Sequence, residues 1–144
     1  MLEKILYPLY EYRLRRELRG KKRPKHIAVM ADGNRRWARE AGLSDISQGH
    51  RAGGAKIGEL VRWCAEMDVD VVTLYLLSTE NLQRTSEEVE LLFDIISDVI
   101  DGLATEHYTC RVRLVGHLDL LPEDVVARMQ RSAASTTGKA GLTV

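Results

Sequence analysis

Cysteine is scarce in this chain: Cys64 and Cys110 are the only two in 144 residues. Two thiols build no disulfide framework, and no CxxC or His/Cys cluster offers a zinc site. A cytoplasmic, reducing environment is therefore expected. Long apolar runs are also lacking. No stretch approaches the ~20 residues that cross a bilayer. The first residues do not have the form of a signal peptide, because Ile5-Leu6-Tyr7 is cut by Pro8 and followed by charges. There is no internal repeat and no low-complexity segment. The phosphate loop GxxxxGK(S/T) is missing. Net charge is missing too, with 21 Lys and Arg against 21 Asp and Glu. No nucleic-acid partner is expected.

What is present is an ordinary globular composition, 44% apolar and 29% charged. A chain of this length forms one domain and buries roughly 70% of its unfolded surface. The charge is unevenly placed. Residues 1–25 carry nine Lys and Arg against three Glu, a balance of +6, and the remainder carries −6. The expected division is a basic N-terminal helix and linker over 1–24 and a domain over 25–144.

Leu2, Ile5, Leu6, Leu9, Tyr10, Leu14 and Leu18 recur at helical steps, which predicts a helix over 2–19 with an Arg-rich end, kinked or shortened at Pro8. His26 to Met30 reads as a buried strand, and Ala31-Asp32-Gly33-Asn34 as the turn that ends it. A helix follows over 35–41, then a polar loop over 43–50, then a helix over 52–67. Val71 to Leu77 reads as a strand buried on both sides. Thr85 and Glu88 form a capping box that opens a helix. Arg111 to Val115 reads as a strand, Pro122 starts a helix reaching about Ser135, and 142–144 begins another strand. Strands alternating with helices predict an α/β fold with a largely parallel sheet flanked by helices.

In open α/β sheets, ligands bind beyond the carboxyl ends of the strands. Two such ends are unusually polar: Asp32-Gly33-Asn34-Arg35-Arg36-Trp37 and Ser78-Thr79-Glu80-Asn81-Leu82-Gln83-Arg84. At the first, a helix start supplies free N–H groups, and Arg35 and Arg36 suit phosphate oxygens. A carboxylate in a phosphate site implies a cation between them, so Asp32 points to Mg²⁺ shared with a diphosphate. The bland alternative is an Asx turn with solvated arginines. The second end reads equally as a hydrogen-bonding ligand edge or as a loop leading to the capping box. His50 precedes a helix and is either a phosphate donor or a solvated loop histidine. His26, His107 and His117 read as structural, Cys64 as core, and Asp94, Asp98 and Asp101 as a solvated helix face.

Taken together, His26-Ile27-Ala28-Val29-Met30-Ala31-Asp32-Gly33-Asn34-Arg35-Arg36-Trp37-Ala38, then Gly49-His50, then Thr73-Leu74-Tyr75 and Ser78-Thr79-Glu80-Asn81 with Arg84 resemble the cis-prenyltransferases, the family of undecaprenyl diphosphate synthase. The resemblance runs from about Pro24 to Val144. It implies an Mg²⁺-dependent enzyme that joins isopentenyl diphosphate to an allylic diphosphate with a new cis double bond. By it, Asp32 is the metal-linked carboxylate. Gly33, Asn34, Arg35 and Arg36 hold the allylic diphosphate, with Trp37 beside them. His50 handles phosphate or protons. Ser78, Thr79, Glu80 and Leu82 line the site, Asn81 orients the reacting groups, and Arg84 supports the second strand end. A homodimer is implied for the complete form.

Four features depart from the family pattern. The loop after Gly42 lacks an arginine often found there. Leu82 and Leu77 replace the Trp and Phe of many members, as in the actinobacterial branch with short-chain Z-farnesyl diphosphate synthases. Arg35 replaces a glycine of the longer-chain bacterial pattern. Members also run roughly a hundred residues further, so the chain is expected to stop inside the fold, before the segment for isopentenyl diphosphate. Two other readings stay open: a non-catalytic subunit that binds allylic diphosphate, and a generic phosphate-binding module. The basic N-terminal helix, residues 1–19, suits either peripheral contact with an anionic membrane or packing on the domain.

Overall fold

The computed structural model describes residues 2–43, 45–105 and 107–144, with side chains from Leu6 onward except Ile46. Helix α1 (Leu2–Leu18) contains Pro8 within its run. Strand β1 (His26–Met30) leads to the short helix α2 (Asn34–Glu40) and the long helix α3 (Ile46–Glu66). Strand β2 (Val71–Tyr75) pairs with β1 in parallel, His26 opposite Val71 and Met30 opposite Tyr75. A 3-10 turn at Asn81–Gln83 precedes α4 (Ser86–Ala104), and a second at Leu118–Leu120 precedes α5 (Glu123–Ser135).

The sheet continues past β2 without further full strands. Thr143 bridges Val71 on one side and Arg111 on the other, both in parallel. Val72 N–H donates to the Thr143 carbonyl at 2.8 Å, and Arg111 N–H to that of Leu142 at 2.8 Å. The order is thus β1, β2, residues 142–144, residues 111–113. The strand expected over Arg111–Val115 is present only as this bridged segment.

One face of the sheet is covered by helices. Ile27, Val72 and Leu74 point toward α3, α4 and α5, where Ile57, Val61, Cys64, Ile100, Leu103 and Met129 form the core. On the opposite face His26, Met30, Thr73 and Tyr75 are exposed. The expectation that β2 is buried on both sides is therefore corrected: it has the alternation of a half-covered strand, and it ends at Tyr75 rather than Leu77.

Long-range polar contacts fix the helices. Arg128 of α5 donates to Asp98 at 2.7 Å and to Asp101 at 2.6 Å on α4, and Ser132 donates to Asp101 at 2.5 Å. Asp98 and Asp101 thus anchor α5; Asp94 and Asp98 are exposed, as expected of a solvated face, while Asp101 is partly buried against Arg128 and Ser132. His26 lies 2.7 Å from the Thr73 hydroxyl across the strands. His117 is 3.5 Å from Asp119. Cys64 and Cys110 are buried and unpaired, and burial pushes both thiols up. Such cysteines are inert fillers.

Candidate active site

The turn after β1 positions the first group of polar residues. Gly33 has φ 88°, a left-handed conformation open to glycine at no steric cost. The Asp32 carboxylate turns back and accepts from Gly33 N–H at 2.6 Å. Helix α2 then starts, with its first hydrogen bond from Trp37 N–H to the Gly33 carbonyl at 2.9 Å. The amides of Asn34, Arg35 and Arg36 precede that bond.

Helix α3 lies directly against this turn. A Cβ at Gly49 would overlap the Asn34 carbonyl, and one at Gly53 the Asn34 side chain. These two glycines let α2 approach the α3 backbone. The helix begins at Ile46, with Asp45 as N-cap accepting from Ser47 N–H at 2.8 Å. The loop expected over 43–50 is therefore shorter, and its Ser44 lies outside the described residues. His50 stands within the helix, 8% exposed, rather than in a loop. Glycine-rich sequence conceals this start, since Gly49, Gly53 and Gly54 are poor helix formers whose packing role appears only in three dimensions.

The turn after β2 supplies the second group. Ser78 N–H donates to Asn81 Oδ1 at 3.1 Å, and Asn81 N–H approaches Ser78 Oγ at 3.3 Å. Arg84 Nη1 donates to Glu88 Oε1 at 3.0 Å, and Arg35 Nε lies 3.5 Å from the same oxygen. Of the expected capping box, Thr85 accepts from Glu88 N–H at a long 3.4 Å, while the Glu88 carboxylate turns to the arginines.

Both groups open on one cavity of about 530 Å³. Asp32, Gly33, Asn34, Arg35, Arg36, His50, Ser78, Asn81 and Arg84 all line it. Trp37, Thr79, Glu80 and Leu82 do not: Trp37 is 51% exposed, and Thr79 and Glu80 face solvent. Hydrogen bonds, that of the Ser78 side chain foremost, hold the Glu80 carboxyl below its usual range. The sequence reading missed Arg39, Tyr75 and an apolar wall of Ile57, Leu92, Ile95, Ile96 and Val99. The signal was there, because α4 is apolar over more of its circumference than one core contact needs. A second cavity of about 350 Å³ shares Gly54, Ile95 and Val99 with the first.

The electrostatics follow from this crowding. His50 Nε2 and Arg35 Nε are buried without a hydrogen-bond partner among the described residues. Burial, and then the positive charge of Arg84, push the His50 pKa down, so its neutral imidazole prevails near neutral pH. No three His, Cys, Asp or Glu side chains gather as a metal site among the described residues. Mg²⁺, however, is commonly held by one or two carboxylates plus substrate phosphates. Asp32, with one oxygen turned to Gly33 and arginines beside it, fits an ion that arrives with a diphosphate.

The family model described as putative undecaprenyl diphosphate synthase matches residues 30–144. Isoprenyl transferase 1 of Corynebacterium diphtheriae is 59% identical over 138 residues, covering 96% of this chain and 52% of that protein. The (2Z,6E)-farnesyl diphosphate synthase of Mycolicibacterium smegmatis is 48% identical over 140 residues, covering 96% and 53%. The chain spans about half the length of the curated relatives it matches. The fold also matches the crystal structure of lavandulyl diphosphate synthase from Lavandula x intermedia in complex with dimethylallyl diphosphate. That match has a TM-score of 0.76 and 23% identity, over 83% of this chain and 52% of the other. A family model over most of the chain and relatives near 60% identity lead to one conclusion: the chain belongs to the undecaprenyl diphosphate synthase, or cis-prenyltransferase, family.

Proposed function

We propose that the protein to which this chain belongs condenses isopentenyl diphosphate with an allylic diphosphate to give a cis-prenyl diphosphate, with Mg²⁺. One observation carries the reading. A single cavity has a cationic end, made by Arg35, Arg36, Arg39 and Arg84, and an apolar wall made by Ile57, Leu92, Ile95, Ile96 and Val99. A prenyl diphosphate has the same polarity, an anionic head and a hydrocarbon tail.

In the proposed reaction the allylic C–O bond breaks, and the diphosphate leaves with its electron pair. The double bond of isopentenyl diphosphate closes the new C–C bond, and the proton lost from the carbon beside the resulting cation passes to a diphosphate oxygen. Arg35, Arg36 and Arg84 neutralise the departing diphosphate. Asp32 would hold Mg²⁺, which supplies Lewis-acid charge neutralisation at the same group. Neutral His50 offers a hydrogen bond at the buried edge. Asn81 Oδ1 already accepts from Ser78 N–H, so the side chain presents its NH₂ group as a donor. It orients phosphate oxygens rather than removing a proton.

The names of the mycobacterial relatives support a short product. The resemblance further supports a homodimer, to be checked by analytical ultracentrifugation of the complete protein. The test of the activity is Mg²⁺-dependent product from the complete protein with isopentenyl and allylic diphosphates. Absence of product with any allylic starter, while the allylic diphosphate still binds, favours the non-catalytic subunit instead.

A further inference from the structure

Glu88 has no part in the reading above, yet it touches two residues of the proposed diphosphate site. Its Oε1 accepts from Arg84 Nη1 at 3.0 Å and lies 3.5 Å from Arg35 Nε. The Glu88 and Arg84 side chains are 20% and 24% exposed, so water screens that pair only in part, while the Arg35 side chain is 40% exposed. Arg35 comes from α2, Glu88 from the first turn of α4, and Arg84 from the chain just before it. Across from them on α3, His50 feels the charges of Arg84, Glu88 and Arg35. With His50 neutral, two guanidinium charges and one carboxylate leave this corner with one net positive charge.

We infer that Glu88 is an internal counterion that limits how tightly the cavity holds a diphosphate. The inference rests on the reading of the cationic end as a diphosphate site. Two guanidiniums this near each other repel, and one carboxylate oxygen between them lets both stand at the wall without a ligand. Glu88 stands in the first turn of the 19-residue α4, a position where the helix dipole favours negative charge. The incoming phosphate oxygens then compete with Glu88 for the Arg84 N–H, and for the charge of Arg35, and meet its repulsion. The site thereby gives up affinity and gains release of the diphosphate that each condensation leaves behind. A residue that merely capped α4 would act on helix stability and leave anion affinity alone.

The experiment is titration of the complete protein with inorganic pyrophosphate by calorimetry, beside thermal unfolding. Glu88→Gln keeps the shape and removes the charge, and it should bind pyrophosphate on the order of tenfold tighter than the parent. Glu88→Ala should shift affinity in the same direction and stands in if the glutamine variant does not fold. Glu88→Asp retains the charge and should stay within about twofold of the parent. Unchanged affinity in both neutral variants would make Glu88 a bystander and overturn the inference. Weaker binding in both would make it a scaffold for the arginines and overturn it equally. A parent protein that binds no pyrophosphate would remove the diphosphate-site reading itself, which separates the two failures.

Discussion

Ser78 and Asn81 hold each other across the turn after β2: the Ser78 amide donates to Asn81 Oδ1 at 3.1 Å, and the Asn81 amide approaches Ser78 Oγ at 3.3 Å. The carboxamide is fixed with its oxygen occupied. Asn81→Asp keeps the acceptor for Ser78 and loses the NH₂ donor. In the complete protein it should lower kcat by about a hundredfold, the usual scale for one lost oxyanion donor, with little change in melting temperature. Turnover near the parent value would show that the amide donor has no role in the reaction.

Asp32→Ala should remove Mg²⁺-dependent product formation. Asp32 is exposed, and its recorded hydrogen bond is a local one to Gly33, so the stability loss should stay within about 1 kcal/mol. Product assays over a Mg²⁺ series, beside thermal unfolding, check both halves. Full turnover in the variant would refute the metal assignment.

Gly53 is the point where α2 leans on α3. A methyl group there overlaps the Asn34 side chain, so Gly53→Ala should cost about 1–3 kcal/mol and displace the start of α2. Denaturant unfolding measures the cost. Pyrophosphate titration should show weaker binding, because Arg35 and Arg36 move with Asn34.

His50 gives the fold an acid-sensitive point. Its folded pKa lies below its unfolded value of about 6.5. Above that value both states are neutral, and His50 adds no pH dependence. As the pH falls through 6.5 the unfolded chain takes the proton first, so stability drops until the folded imidazole also protonates. His50→Gln should flatten stability between about pH 6.5 and the lower folded pKa. An unchanged pH profile would mean that His50 is solvated.

Helix α1 leaves Leu6, Tyr7, Leu9, Tyr10 and Tyr12 more than half exposed, and residues 13–25 carry the basic cluster. Apolar and aromatic groups beside arginines suit an anionic bilayer surface. Co-sedimentation with phosphatidylglycerol vesicles should be measurable and should fall with Leu6→Ser plus Leu9→Ser. No difference between anionic and neutral vesicles would argue for a protein surface over α1.

Much of the framework is a local property of the chain. The 3.6-residue apolar periods of α4 and α5 and the apolar run of β1 each lie within a dozen or so neighbouring residues, and these fix element type. The two polar strand ends and their phosphate-suited arginines are legible for the same reason, since a strand end and its turn are contiguous in sequence. The tertiary structure decided what depends on distant partners. His50 became a buried helical residue because Gly49 and Gly53 pack against Asn34, a contact that can stabilise a helix start which glycine propensity opposes. Asp98 and Asp101 became the anchor of Arg128 because α5 crosses α4 there. Glu88 left the capping role its spacing assigns and joined Arg84 and Arg35, since two buried-edge guanidiniums attract a carboxylate more strongly than one backbone amide does. Periodicity fixes which face of an element is apolar, whereas the charge or surface that face finally meets depends on chain closure between residues tens of positions apart.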